Sequence, residues 1–260
     1  MKARGIIPLI ALALLLALVP SAAAITYGQP DNDRHPNVGA LVYTTEDGSQ
    51  FPYCSGTLIA PNLFLTAAHC NISYITGTNR VKVTFDSNFD SQPVNTFDGT
   101  FTGHPAFPGP SNNSYDIAVV QLDTSPNLTP ASLPFVGQFD RLQQENNDQR
   151  FTAVGYGGEE PIPTPHLGIV IGYLDIRQFS TSSLNAVNKA WLRLSQNPAR
   201  DDGGTCFGDS GGPNFLGAGE EETNIIAGIT ITGDAICRAT NVIYRLDTPW
   251  AHDFLGQFLD

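Results

Sequence analysis

The chain has 260 residues and a formal charge of −12, from 13 basic and 25 acidic side chains. An acidic chain without a basic cluster is a poor match for nucleic acid or an anionic membrane surface, so neither is expected as a partner. With 25 Gly, 19 Pro and few charges, the composition suits short strands joined by many turns.

Residues 1–24 have the three parts of a secretory signal in order. Lys2 and Arg4 make a positive start, Ile6 to Val19 an apolar stretch, and Ser21-Ala22-Ala23-Ala24 a small-residue exit. The apolar stretch is short for a spanning helix, which needs about 20 residues. Cleavage after Ala24 is expected, leaving a soluble, secreted, extracellular chain that starts at Ile25 and keeps no membrane contact.

Strand-like runs follow at 38–44, 55–60, 64–68, 81–85, 117–122, 151–157, 168–174, 225–232 and 242–246. They are rich in Val, Ile, Thr, Phe and Tyr and are separated by Gly, Pro, Asn or Asp. The proline-rich segment 123–135 reads as a connection between two halves of similar size. Only the end has helical periodicity. There Asp247 or Thr248 can cap, Pro249 suits the first turn, and Trp250, Phe254, Leu255, Phe258 and Leu259 share a stripe. The expectation is an all-β protein: a signal over 1–24, one β module over 25–135, and a second over 136–260 closed by a short helix.

Four cysteines, Cys54, Cys70, Cys206 and Cys237, allow three disulfide pairings in an exported chain. Their spacing is too wide for zinc knuckles, and the five histidines are scattered, so no metal or cofactor is expected.

Gly208 to Pro213 read "GDSGGP". A serine hydroxyl is a weak nucleophile that needs a neighbouring base, and the oxyanion it creates needs preorganised N–H donors. Flanking glycines let the backbone turn so that the N–H groups of Gly208 and Ser210 meet at one spot. The motif alone is compatible with an ordinary Gly-rich turn. "LTAAHC", ending in His69 and Cys70, and "SYDIAVVQL", with Asp116 at the head of an apolar run, supply a base and an acid. The order His, Asp, Ser is one of the known orders for serine catalysis. The same glycines also satisfy the G-x-S-x-G of α/β-hydrolases. Pro213 would interrupt a helix begun at Ser210, however, and the chain lacks alternating strands and helices.

The sequence resembles the trypsin-like, chymotrypsin-fold serine peptidases over nearly all of residues 25–260. The resemblance rests on "CSGTLIAPNLFLTAAHC", "HPAF" at 104–107, "DIAVVQL", "VGYGG" at 154–158, "CFGDSGGP" and the terminal helix. It implies two antiparallel six-stranded β-barrels and the pairings Cys54–Cys70 and Cys206–Cys237. It also implies His69 as general base, Asp116 as its orienting acid, Ser210 as nucleophile, and Gly208 and Ser210 as oxyanion donors. Relatives carry an N-terminal Ile whose amine pairs with the Asp before the catalytic Ser. Ile25 and Asp209 stand at those positions, so removal of the signal would itself create the activating end.

The substrate pocket departs from the family pattern. Gly204 stands at the floor, where trypsins carry an Asp, with Thr205 next to it; Ile231, Thr232 and Gly233 form the wall, and Asn241 occupies a position where open pockets have Gly. Ile231 also removes a Ser that would hydrogen-bond Asp116. The resemblance implies a monomeric endopeptidase that acts on protein or peptide substrates, meets protein inhibitors and is not directed to Arg or Lys. The alternative is an inactive relative that binds proteins.

Overall fold

A computed structural model describes residues 25–89, 93–145, 148–159, 161–165 and 168–259. The expected signal at 1–24 lies outside them. The first barrel comprises β2 (Val38–Thr44), β3 (Gln50–Ala60), β4 (Leu63–Thr66), β5 (Arg80–Thr84), β6 (Phe97–Gly103) and β7 (Ala118–Leu122). It closes in the order β2-β3-β4-β7-β6-β5, all antiparallel.

The second comprises β8 (Arg150–Gly155), β11 (Gln178–Val187), β12 (Trp191–Ser195), β13 (Pro213–Leu216), β14 (Ile226–Gly233) and β15 (Thr240–Arg245). Its ring β8-β11-β12-β15-β14-β13 closes where β13 meets β8. The all-β fold of two six-stranded barrels is therefore as expected. Closure removes the exposed edges that would otherwise template further pairing.

Inward side chains fill each barrel. Leu41, Leu58, Phe64, Leu65, Val83 and Val120 are buried in the first; Phe151, Leu184, Leu192, Leu194, Ala227 and Ile243 in the second. Phe215, Ile229 and Tyr244 of the second barrel join the cluster of the first, so the two pack as one body.

The opening segment lies on the second barrel. Thr26 bridges to Gly204, and β1 (Gln29–Pro30) pairs with β11. The run at 168–174 reaches only three residues of strand: β10 (Gly168–Val170) pairs with β9 (Ile162–Thr164) in a hairpin outside both barrels. Thr248, not Asp247, caps the terminal helix Pro249–Leu255, accepting from the Ala251 N–H. Phe258 and Leu259 lie beyond that helix but still pack on the core. Asp247 instead holds Arg245. Among the described residues no helix is long and apolar enough to cross a membrane.

Candidate active site

His69 sits in a 3-10 turn, Ala68–Cys70, directly after β4, and Asp116 just precedes β7. Because β4 and β7 are paired neighbours, the turn and the Asp emerge at the same end of the barrel. Cys70 is bonded to Cys54 of β3, which fixes the turn. Those two sulfurs lie near His69, but being bonded to each other they offer no thiolate to a metal. His69 Nδ1 lies 2.8 Å from Asp116 Oδ2, and the His69 N–H donates to Oδ1 at 2.9 Å. The Asp116 side chain is 8% exposed and that of His69 33%. A buried carboxylate gripping one ring nitrogen leaves the other free for the cleft.

Ser210 reaches the same cleft from the second barrel. His69 and Ser210 line one cavity of about 490 Å³ with Thr205, Ile231, Thr232 and Gly233. The loop that carries Ser210 is held by three features. Cys206 is bonded to Cys237, as expected. Gly208 and Gly211 take φ of 101° and 79°, a left-handed region that a side chain would strain. The Phe207 carbonyl accepts from the Gly158 N–H at 2.9 Å. In a trans peptide C=O and N–H point oppositely, so that bond turns the Gly208 N–H the other way. Among the described residues neither the Gly208 nor the Ser210 N–H has an acceptor.

Ser55 is a site residue that the motifs did not single out. Its hydroxyl donates to Gly208 O at 3.0 Å and accepts from the Tyr156 N–H at 3.1 Å; its N–H donates to Ser210 O at 2.8 Å. One first-barrel residue thus ties two points of the second barrel's loop. Its one sequence signal is its place beside Cys54 in "CSGTL".

The sequence matches the family model described as Trypsin over residues 26–251. The chain belongs to the trypsin family. It is 28% identical over 213 residues to a trypsin of Saccharopolyspora erythraea, covering 78% of this chain and 84% of that one. It is 26% identical over 211 residues to a venom serine protease of Polistes dominula, covering 76% and 72%.

Within this trypsin-family chain Ile231 removes the expected Ser partner of Asp116, yet both carboxylate oxygens are engaged by His69. Asp209 is fully buried and accepts from Gly157 N–H and Cys206 N–H, each at 2.8 Å. Burial raises its pKa to about 7 against the pull of those two donors. Ile25 is also fully buried, next to Thr26, whose carbonyl accepts from the Gly204 N–H at 3.0 Å. In the uncut chain the Ile25 nitrogen belongs to a peptide bond, and Asp209 faces no cation among the described residues.

Of the expected pocket residues, Thr205, Ile231, Thr232 and Gly233 line the cavity, whereas Gly204 and Asn241 do not. Asn241 is buried and donates to Asn214 Oδ1 at 2.9 Å; Asn214 donates in turn to Thr230 Oγ1 at 3.0 Å. Asn241 is thus held in a buried polar chain that runs to Thr230, and it does not line the cavity.

Proposed function

We propose that this protein is a secreted serine endopeptidase that hydrolyses peptide bonds through an acyl-enzyme. The observation that supports this best is the His69–Asp116 pair facing the cavity that Ser210 also lines. His69 takes the Ser210 proton as the hydroxyl attacks the scissile carbonyl. Asp116 holds the ring in the tautomer with Nδ1 protonated and stabilises the imidazolium. The oxyanion is received by the Gly208 and Ser210 N–H groups, and His69 returns the proton to the leaving amine. Water repeats the sequence on the acyl-enzyme. The pocket has no acid at Gly204, so a residue other than Arg or Lys is favoured on the acyl side of the bond.

Removal of residues 1–24 frees the Ile25 amine, which pairs with Asp209 and holds the oxyanion loop in shape. A buried carboxylate is stabilised by such a partner and costly without one. Activation then accompanies export.

The test is the intact mass of the exported protein before and after a fluorophosphonate probe. A mass starting at Ile25 with one adduct, absent in Ser210→Ala, is the expected result. Labelling of a chain that starts elsewhere would overturn the activation step alone. Correct processing without an adduct would overturn catalysis and favour a protein-binding relative.

A further inference from the structure

Among the described residues the Asp116 carboxylate accepts only from His69, so the position of the pair must be set from elsewhere. The His69 turn has the Cys54–Cys70 bond for this. The corresponding brace for Asp116 lies just ahead of it. Tyr115 takes a φ of 52°, a left-handed conformation that is unfavourable for a residue with a side chain and persists only where its surroundings enforce it. Its N–H donates to Asn113 Oδ1 at 3.0 Å, and its carbonyl accepts from the Ile117 N–H at 2.9 Å. Its ring stacks on His104, with centroids 4.6 Å apart. A Cβ at Gly109 would stand 2.5 Å from Tyr115 Cδ2, so the ring also lies against the Gly109 backbone.

The Asn113 oxygen has a second donor, and it comes from the other barrel. Tyr244 of β15 is fully buried, and its hydroxyl donates to Asn113 Oδ1 at 3.0 Å. Burial pushes the Tyr244 pKa up and the Asp116 charge adds to the rise, so the hydroxyl stays protonated as a donor. Tyr244 pairs with Ile229 of β14, and the next residue, Thr230, accepts from the Gly211 N–H at 2.8 Å. A chain of contacts therefore runs from the nucleophile loop, through β14 and β15, to the turn that carries Asp116. Ile231 withholds the Ser hydroxyl expected on Asp116, which gives this indirect hold its importance.

We infer that Tyr244 is a positioning residue for the triad: acting through Asn113, it fixes the turn that aims Asp116 at His69. This rests on the peptidase reading above. The carboxylate must stay in line with Nδ1 while the imidazolium forms, and a turn free to relax its left-handed residue would let it drift.

The test is steady-state cleavage of one peptide, with rates taken per Ser210 titrated by the fluorophosphonate so that unfolded chains do not count. Tyr244→Phe deletes the hydroxyl and keeps the ring. Its kcat should fall about tenfold with KM unchanged, the effect of one buried hydrogen bond. The acidic limb of its kcat/KM profile should move to lower pH, because a poorly held carboxylate stabilises the imidazolium less. Asn113→Ala should lose at least as much, and the double variant no more than Asn113→Ala alone, since both act through one bond. Ile231→Ser offers Asp116 a hydroxyl directly and should raise kcat several-fold more in the Tyr244→Phe chain than in wild type. A kcat for Tyr244→Phe within about twofold of wild type, or an unmoved acidic limb, would overturn the inference. So would additive losses in the double variant, or an equal response to Ile231→Ser in both backgrounds. If Tyr244→Phe does not fold, Asn113→Ala decides on kcat, the acidic limb and the response to Ile231→Ser. No cleavage and no Ser210 labelling in wild type would instead bring down the peptidase reading, and this inference with it.

Discussion

At the scale of single residues, local motifs and long-range contacts divide the site between them. His69, Asp116 and Ser210 could be read from short surrounding strings. Ser55 could not, because it matters only through partners about a hundred or more positions away. Ser55→Ala removes the hydroxyl that orients the Gly208 carbonyl. Loss of one such bond is worth about 1–1.5 kcal/mol, so kcat should fall about tenfold with KM little changed. Steady-state kinetics check this, and an equal loss from melting or a shift confined to KM would contradict it. Asp209 yields a pH prediction. Burial raises its pKa from 3.8 to about 7, so between those values the native uncut chain holds a proton that the unfolded chain has released. Stability of the uncut form should therefore fall as pH rises across that range. A chain starting at Ile25, with its amine paired, should lack this slope. Urea midpoints of both forms, in a Ser210→Ala background, provide the comparison.

At the scale of elements, the opening segment is clamped by a buried ionic cluster that the sequence did not reveal. Arg177, fully buried ahead of β11, donates to Asp31 at 2.8 Å and Asp33 at 2.9 Å. His35 meets Asp31 through Nδ1 and Glu222 through Nε2, the latter at 2.6 Å, and Arg34 also reaches Glu222. Burial works against the charged form of His35, but its bonds to Asp31 and Glu222 prevail and hold its pKa above 6.5. Burial likewise opposes charge on Asp31 and Glu222, yet the cationic partners hold both pKa values down. The His35 contribution is thus present below 6.5 and lost as pH rises through its raised native value. The carboxylate contributions are present above their ordinary values and lost as pH falls through the lowered ones. His35→Ala should lower Tm most in the mildly acidic range between these limits, and the difference should shrink above neutrality. Melting curves of the pair across pH 4–9 test it. Strands were legible where apolar residues are dense. They were not legible at β1, β6, β9, β11, β12 and β13; "FDGTFTG", "QFSTSSLNAV" and "WLRLS" mix polar residues or Gly into the pattern, and β1, β9 and β13 are only two to four residues long and contain Pro. Barrel closure supplies the ladder partners for such strands, overriding weak local preference.

At the scale of the molecule, the two disulfides brace the cleft from both barrels. Cys54–Cys70 closes a loop of 16 residues and Cys206–Cys237 one of 31. Loop entropy assigns them about 3 and about 4 kcal/mol. Replacing Cys206 and Cys237 together with Ser should cost about 4 kcal/mol of unfolding free energy by urea titration and blur side-chain selectivity, since both line the cavity. Replacing Cys54 and Cys70 should cost about 3 kcal/mol and reduce turnover, because the His69 turn loses its brace. The sequence by itself determined the β class, the two halves and the His, Asp and Ser strings, since these depend on composition, period and neighbours within a few residues. Only the tertiary structure decided which distant segments meet. Ser55 reaching across the barrels, Gln196 packed against Gly204 and the clamp around His35 arise where register and closure juxtapose distant segments, and no local pattern encodes such meetings.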